Sequence, residues 1–193
     1  NRCTPAPASH PYIIAKRGSS EGLRVMPTDD RLTIGGQAIA GWLVVPALSV
    51  TGELKTLQFI PPPGEGKKLN LPGASFADGF FTIGNLNDSP RAYIVEGIGQ
   101  AWACHEATGN AAVACFGSGR MATVAQAIRS RYDALQLIVV CDCGQELKAE
   151  TTAKDVRAEW VEMPVDKPAN YDANDYACEH GVDALATLLA APK

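Results

Sequence analysis

Two acidic residues, Glu96 and Asp142, stand directly behind short apolar runs, Tyr93-Ile94-Val95 and Ile138-Val139-Val140-Cys141. Runs of this length and β-branched content read as buried strands, so both carboxylates leave their strands at the same end of a sheet. Two carboxylates brought together repel by roughly a few kcal/mol at an effective dielectric near 20, which calls for a cation between them. Hard oxygen ligands beside glycines, here Gly97 and Gly144, suit Mg²⁺, which keeps several waters and takes one or two protein carboxylates; Mn²⁺ accepts the same ligands. Two further strand ends carry polar residues: Gly117-Ser118-Gly119 after Phe116, and Asp172-Ala173-Asn174-Asp175 beyond a fourth run. Each also has a plainer reading. Asp172 and Asp175 have the look of helix N-caps, and Gly117-Ser118-Gly119 is too short and misspaced for a P-loop. His105 in mid-helix and His180 before Gly181, near a helix bend, suit packing or capping, and Trp102 and Trp160 suit the core. Cys141-Asp142-Cys143 has one residue between its thiols, where zinc pairs usually have two to four, so a zinc site is not expected.

The elements that must position these residues follow from periodicity. Behind residue 91 the chain alternates short apolar runs with helical patterns. Strand 92–95 precedes a helix over 98–108 stopped by Gly109. Strand 112–116 precedes a helix whose face is Met121, Val124, Ala125 and Ile128. Strand 135–141 precedes a charged helix over 146–157. A fourth strand covers 160–163, and one last helix fills 175–190. Such alternation predicts a parallel sheet with helices on both faces, and ligands of such sheets bind at the carboxyl ends of the strands. Residues 1–90 are instead rich in turn signals, such as Gly35-Gly36 and Pro61-Pro62-Pro63-Gly64. They read as a small, mostly antiparallel β module in which Thr51-Gly52 joins strands 42–46 and 54–60. The expected boundaries are therefore 1–90 and 91–193.

Composition limits the function classes. Of 193 residues, 46% are apolar and 20% charged, which excludes intrinsic disorder and allows a core without disulfide staples. The longest apolar stretch, residues 38–50, is broken by Gly41 and Pro46 and is too short to span a membrane. No early run is long enough for a signal peptide. Four of the six cysteines lie in apolar patterns, so buried free thiols and a cytoplasmic setting are expected. Asn1 in place of Met points to a piece of a longer protein. Charge is uneven: residues 1–90 carry eight Lys/Arg against seven Asp/Glu, whereas 91–193 carry nine against fourteen. Nucleic-acid binding would then rest on local patches such as Lys67-Lys68 or Arg129/Arg131.

Tyr93-Ile94-Val95-Glu96-Gly97, Ala114-Cys115-Phe116-Gly117-Ser118, Ile138-Val139-Val140-Cys141-Asp142 and Asp172-Ala173-Asn174-Asp175-Tyr176 together resemble a Toprim domain, the catalytic fold of bacterial-type primases, topoisomerases and some nucleases. Upstream, residues 66–73 (Gly-Lys-Lys-Leu-Asn-Leu-Pro-Gly) and Phe81-Thr82-Ile83-Gly84 resemble the segment that precedes Toprim in bacterial primases. With residues 52–60, the pattern is most similar to primases of conjugative plasmids and phages, over about 40–190.

The resemblance implies an α/β fold with a Toprim-like parallel sheet behind the small β module, and Mg²⁺-dependent RNA primer synthesis from nucleoside triphosphates on single-stranded DNA. It implies that Glu96 acts as general acid/base at the reacting hydroxyl and that Asp142 begins an Asp-x-Asp metal motif. Gly144 stands where the second Asp belongs, leaving Glu146 or Asp172 to supply the missing oxygen. Lys67, Lys68 and Asn70 would follow template or nucleotide phosphates, with Gly117 and Ser118 as further cofactor-binding positions. The partners implied are single-stranded template, nucleoside triphosphates and other domains of a longer replication protein, with no membrane. Two rivals stand beside this reading. One is a Toprim nuclease or topoisomerase, the latter needing a Tyr nucleophile from a further domain. The other is a degenerate, non-catalytic module that binds nucleic acid or docks a partner.

Overall fold

A computed structural model describes residues 2–193, which pack as two compact units, 2–79 and 80–193. In the first unit, strands β1 (Thr4–Pro5), β2 (Arg24–Val25), β5 (Leu43–Leu48), β6 (Leu54–Ile60) and β7 (Leu69–Asn70) form an antiparallel sheet in the order β1-β2-β5-β6-β7. A short helix α1 (Pro11–Ala15) and a two-stranded ribbon, β3 (Thr33–Ile34) with β4 (Gln37–Ala38), complete it. The β5–β6 hairpin is the expected one, and Gly52 turns it at φ +84°, a conformation that favours glycine. Met26, Ile34, Ile39, Trp42, Val44 and Phe59 close the core of this unit.

The second unit begins with β8 (Phe81–Ile83), then runs β9 (Arg91–Val95), α2 (Ile98–Thr108), β10 (Ala111–Ala114), α3 (Met121–Arg131), β11 (Gln136–Val140), α4 (Glu146–Val156), β12 (Glu159–Val161), α5 (Ala173–His180) and α6 (Val182–Leu189). Its sheet order is β12-β11-β9-β10-β8, parallel except for the antiparallel edge strand β8. Helix α2 packs with α5 and α6, while α3 packs with α4, so both faces are covered as the alternation implies. That explains the unbroken apolar runs. Ala92 to Val95 and Leu137 to Val140 are each at most 1% exposed, and burying each Val or Ile contributes about 1.5–3 kcal/mol relative to leaving it in water.

Two expectations are corrected. The last helix is two: Gly181, at φ +93°, breaks it between His180 and Val182. Trp160 is only half-buried on the edge strand β12, where the Lys193 ammonium lies 5.0 Å from its ring centre. Trp102 is buried as expected. Helix α2 ends at Gly109, at φ +68°, whose N–H reaches the His105 carbonyl, and the His105 ring bonds the Asn110 carbonyl, a capping role.

Candidate functional site

The path of the chain creates the site. From β9 the chain crosses to β10 on one side, then returns past β9 to β11 on the other. At such a reversal the connecting loops diverge and leave a crevice at the carboxyl ends of β9 and β11. Glu96 and Asp142 leave those two strands.

Asp142 is 8% exposed. Its carboxylate receives one hydrogen bond, 2.6 Å, from the Nε2 of Gln100 in the first turns of α2. The same nitrogen lies 3.4 Å from Asp172 Oδ2, and Gln100 Oε1 accepts the Glu96 backbone N–H at 3.3 Å. One carboxamide thus joins the ends of β9 and β11 to the start of α5. Burial is the largest reason that the Asp142 pKa is pushed up to about 7; nearby Glu96, Asp172 and Asp175 raise it further, and the Gln100 bond opposes them.

Asp172 is held by a capping box: its side chain accepts the Asp175 N–H, and Asp175 accepts the Asp172 N–H. The plainer reading of these residues is therefore correct, and Asp172 still keeps its second oxygen turned to Gln100. Two backbone bonds, Cys143 N–H to the Tyr171 carbonyl and Asn170 N–H to the Cys143 carbonyl, tie the preceding loop to the loop after β11. The loop before α5 is fixed in turn by Glu179, which accepts bonds from Lys167 and Tyr171.

The other expected positions divide. Glu96 is half-buried at the crevice, and its carbonyl accepts the Gly117 N–H, linking the ends of β9 and β10. Phe116, just before Gly117, sits at φ +63°, a strained conformation for a large side chain and a mark of a constrained turn. Ser118 accepts a bond from Lys148 on α4. Glu146 does not join Asp142 and Asp172, because its carboxylate accepts the Gly144 N–H at 2.7 Å and closes its own loop. Lys67, Lys68 and Asn70 belong to the first unit and are exposed; Lys68 lies 5.8 Å from the Tyr12 ring centre, and Asn70 accepts from Gln58.

Gln100 and Lys148 were not foreseen. The available signal for Gln100 was a lone polar residue in the buried stretch Ile98 to Cys104, four positions after Glu96. Lys148 lines a shallow groove of about 500 Å³ with Gly144, Gln145 and Thr151, and only its place on α4 relative to β10 reveals it.

The donor set fits Mg²⁺. Two carboxylates from different elements converge on one point, and Mg²⁺ needs no more than this from a protein when water and substrate phosphates complete its octahedron. Among the described residues no group of three or more His, Cys, Asp and Glu side chains is placed to hold a metal ion, so the protein offers a cation here no more than these two carboxylates. All six cysteines are free, with Cys104, Cys115, Cys141 and Cys143 buried.

A family model described as the Toprim domain matches residues 91–183. The fold is similar to that of the RNA polymerase domain of Mycobacterium tuberculosis primase DnaG. In its complex with double-stranded DNA the TM-score is 0.61 at 17% identity, covering 98% of this chain and 75% of that one. A second structure of that domain gives 0.60 at 18% identity, covering 94% and 75%. A DnaG primase catalytic domain bound to single-stranded DNA gives 0.56 at 16% identity, covering 97% and 62%. The crevice that gathers Glu96, Asp142 and Asp172 therefore lies within the Toprim-matching segment of a chain whose fold is that of DnaG-type primase catalytic domains.

Proposed function

We propose that this chain is the catalytic core of a DNA primase of the plasmid or phage type, making RNA primers from nucleoside triphosphates on single-stranded DNA. The observation that carries the proposal is the convergence of Asp142 and Asp172 on Gln100 beside Glu96, at the crevice where the sheet reverses direction. Asp142 and Asp172 would hold Mg²⁺, which would supply electrostatic stabilisation of the charge on the triphosphate. Glu96 takes the proton of the attacking 3′-hydroxyl, a role suited to a half-exposed carboxylate at the mouth of the crevice. Ser118 and Lys148 lie at the end of β10 and offer a hydroxyl and an ammonium to phosphate oxygens. Lys67, Lys68 and Asn70 are exposed and follow the template backbone. No helix among the described residues is long and apolar enough to cross a membrane. The free thiols suit a cytoplasmic setting, where further domains of a longer replication protein would act with this one.

The test is primer synthesis by the 193-residue chain on single-stranded templates with labelled nucleoside triphosphates and Mg²⁺ or Mn²⁺. Short RNA products are expected, lost in Glu96→Gln and Asp142→Asn with folding intact. DNA cleavage in place of synthesis would replace the primase by a nuclease, and DNA binding without either reaction would leave a docking module. If Lys67 and Lys68 each neutralise one phosphate, changing both to Ala flattens the log K against log salt slope by about 1.4.

A further inference from the structure

The Gln100 carboxamide bridges Asp142 and Asp172, its Nε2 lying 2.6 Å from one carboxylate and 3.4 Å from the other. Its orientation is set by the backbone. Oε1 accepts the Glu96 N–H, so the NH₂ end is the one that faces the carboxylates; turning the amide over would set that NH₂ against the Glu96 N–H and leave both donors unpaired. Gln100 therefore offers the pair hydrogen-bond donors and no ligand oxygen. It is 3% exposed, on a helix whose neighbouring residues Ile98, Gly99 and Ala101 are buried as well. The amide has little room to withdraw without breaking its bond to Asp142.

We propose that Gln100 is a positioning residue that stands in for the cation. It holds Asp142 and Asp172 together in the cation-free protein and competes with free Mg²⁺, so that the metal enters as a complex with the nucleoside triphosphate. The inference rests on the primase reading of the same crevice. Its physical basis is that two like charges facing a neutral donor are partly compensated, whereas without the donor their repulsion is relieved by a cation or by a proton. Removing the donor therefore raises the affinity for free metal and lowers the stability of the metal-free protein. A bound triphosphate would compensate for the displaced Gln100 hydrogen bond, since its phosphate oxygens would add anionic ligands for the cation.

The experiment is a Mn²⁺ titration by calorimetry on the full chain and on Gln100→Met and Gln100→Glu, with thermal melts in chelator and in excess Mn²⁺. The native chain is expected to bind free Mn²⁺ weakly and at least tenfold more tightly with a non-hydrolysable nucleoside triphosphate present. Gln100→Met, similar in length but without a donor, should bind free Mn²⁺ about tenfold more tightly than the native chain, and Gln100→Glu more tightly still. Both should melt lower in chelator and recover in Mn²⁺. If Gln100→Met folds only with metal, Gln100→Glu carries the same comparison. Equal Mn²⁺ affinity in all three proteins, or weaker binding in Gln100→Met, would overturn the role given to Gln100 while leaving the metal site standing. Absence of Mn²⁺ binding in all three, with and without nucleotide, would remove the metal reading and this inference with it.

Discussion

The two ends of the parallel sheet treat a buried charge in opposite ways. At the amino ends of β11 and β12, Arg129 is 9% exposed and its guanidinium donates to five backbone carbonyls, those of Tyr132, Asp133, Leu135, Val156 and Arg157. At the carboxyl end of β11, Asp142 is 8% exposed, receives one hydrogen bond and faces three other acids. Arg129 uses its planar fork to close off strand and helix ends, adding to the Tyr132 carbonyl, which already accepts the Leu135 N–H, and bonding the carbonyls of Asp133, Leu135, Val156 and Arg157. Asp142 is left undercompensated, the condition that favours a cation or a proton. One end of the sheet is built for stability, and the other gives up stability to keep a carboxylate available.

The most direct way to break this comparison is Arg129→Met, which removes every side-chain donor and takes a hydrogen bond from the carbonyls of Asp133, Leu135, Val156 and Arg157, while that of Tyr132 keeps the Leu135 N–H. The free energy of unfolding should fall by about 3 kcal/mol or more, read from the denaturant midpoint. Arg129→Lys keeps the charge but lacks the fork and should recover less than half of the loss. A result near zero would show that the carbonyls are readily hydrated and that the amino end is not a structural lock.

Asp142→Asn should act in the opposite direction. The folded pKa of about 7 lies above the ordinary value of 3.8, so the unfolded chain releases this proton first. Stability from this group is fully present below about pH 4 and is lost as pH rises to about 7. In chelator at pH 8, Asp142→Asn should therefore be more stable than the native chain by about 2 kcal/mol. At pH 4 the two should match, because Asn can still accept the Gln100 bond. Thermal melts across this range check the sign, and a destabilised Asp142→Asn at pH 8 would place Asp142 with Arg129 as a structural residue.

Gly144 gives a smaller effect that sharpens the account of the carboxyl end. It sits at φ +90° with open space where a Cβ would lie, so Gly144→Ala meets no clash and should cost only the backbone penalty, about 1 kcal/mol. Gly144→Asp should cost a similar amount. Its Mn²⁺ affinity then reports whether a second carboxylate in this loop can reach the site.

The smallest effect is the control. The Lys154–Glu150 pair at i,i+4 on α4 is mostly in water, and Lys154→Ala should change stability by about 0.3–0.5 kcal/mol. A larger change would mean that exposed pairs matter here as much as buried ones, and the contrast between the two ends would lose its basis.

Much of the second unit was legible in the sequence because strands covered on both faces show as unbroken apolar runs, and because Gly109 marks the end of α2 where a left-handed residue is needed. At Gly181 a bend was legible but a full break was not, since the apolar face resumes in α6 and period alone carries through a single glycine. The exposure of Trp160 depends on β12 lying at the sheet edge, which is a matter of strand order. Glu96, Asp142 and Asp172 were readable as strand-end and helix-start acids, whereas Gln100 meets its partners across 42 and 72 positions of chain. Glu146 was close enough in sequence to supply an oxygen, but its short reach back to the Gly144 N–H settled its place locally.

The half-buried Trp160 has a consequence for association between molecules. An edge strand offers unpaired N–H and C=O groups to any strand that drifts alongside, the first step of sheet-to-sheet aggregation. On β12 the outward pair of Trp160 is already taken: its N–H donates to the Lys193 carbonyl at 3.2 Å, and the Lys193 N–H donates to the Trp160 carbonyl at 2.9 Å. The Lys193 ammonium lies over the indole and pairs with Glu162, so an approaching strand meets a cation as well as an occupied ladder. A single residue thereby makes this edge a poor template for intermolecular β-pairing.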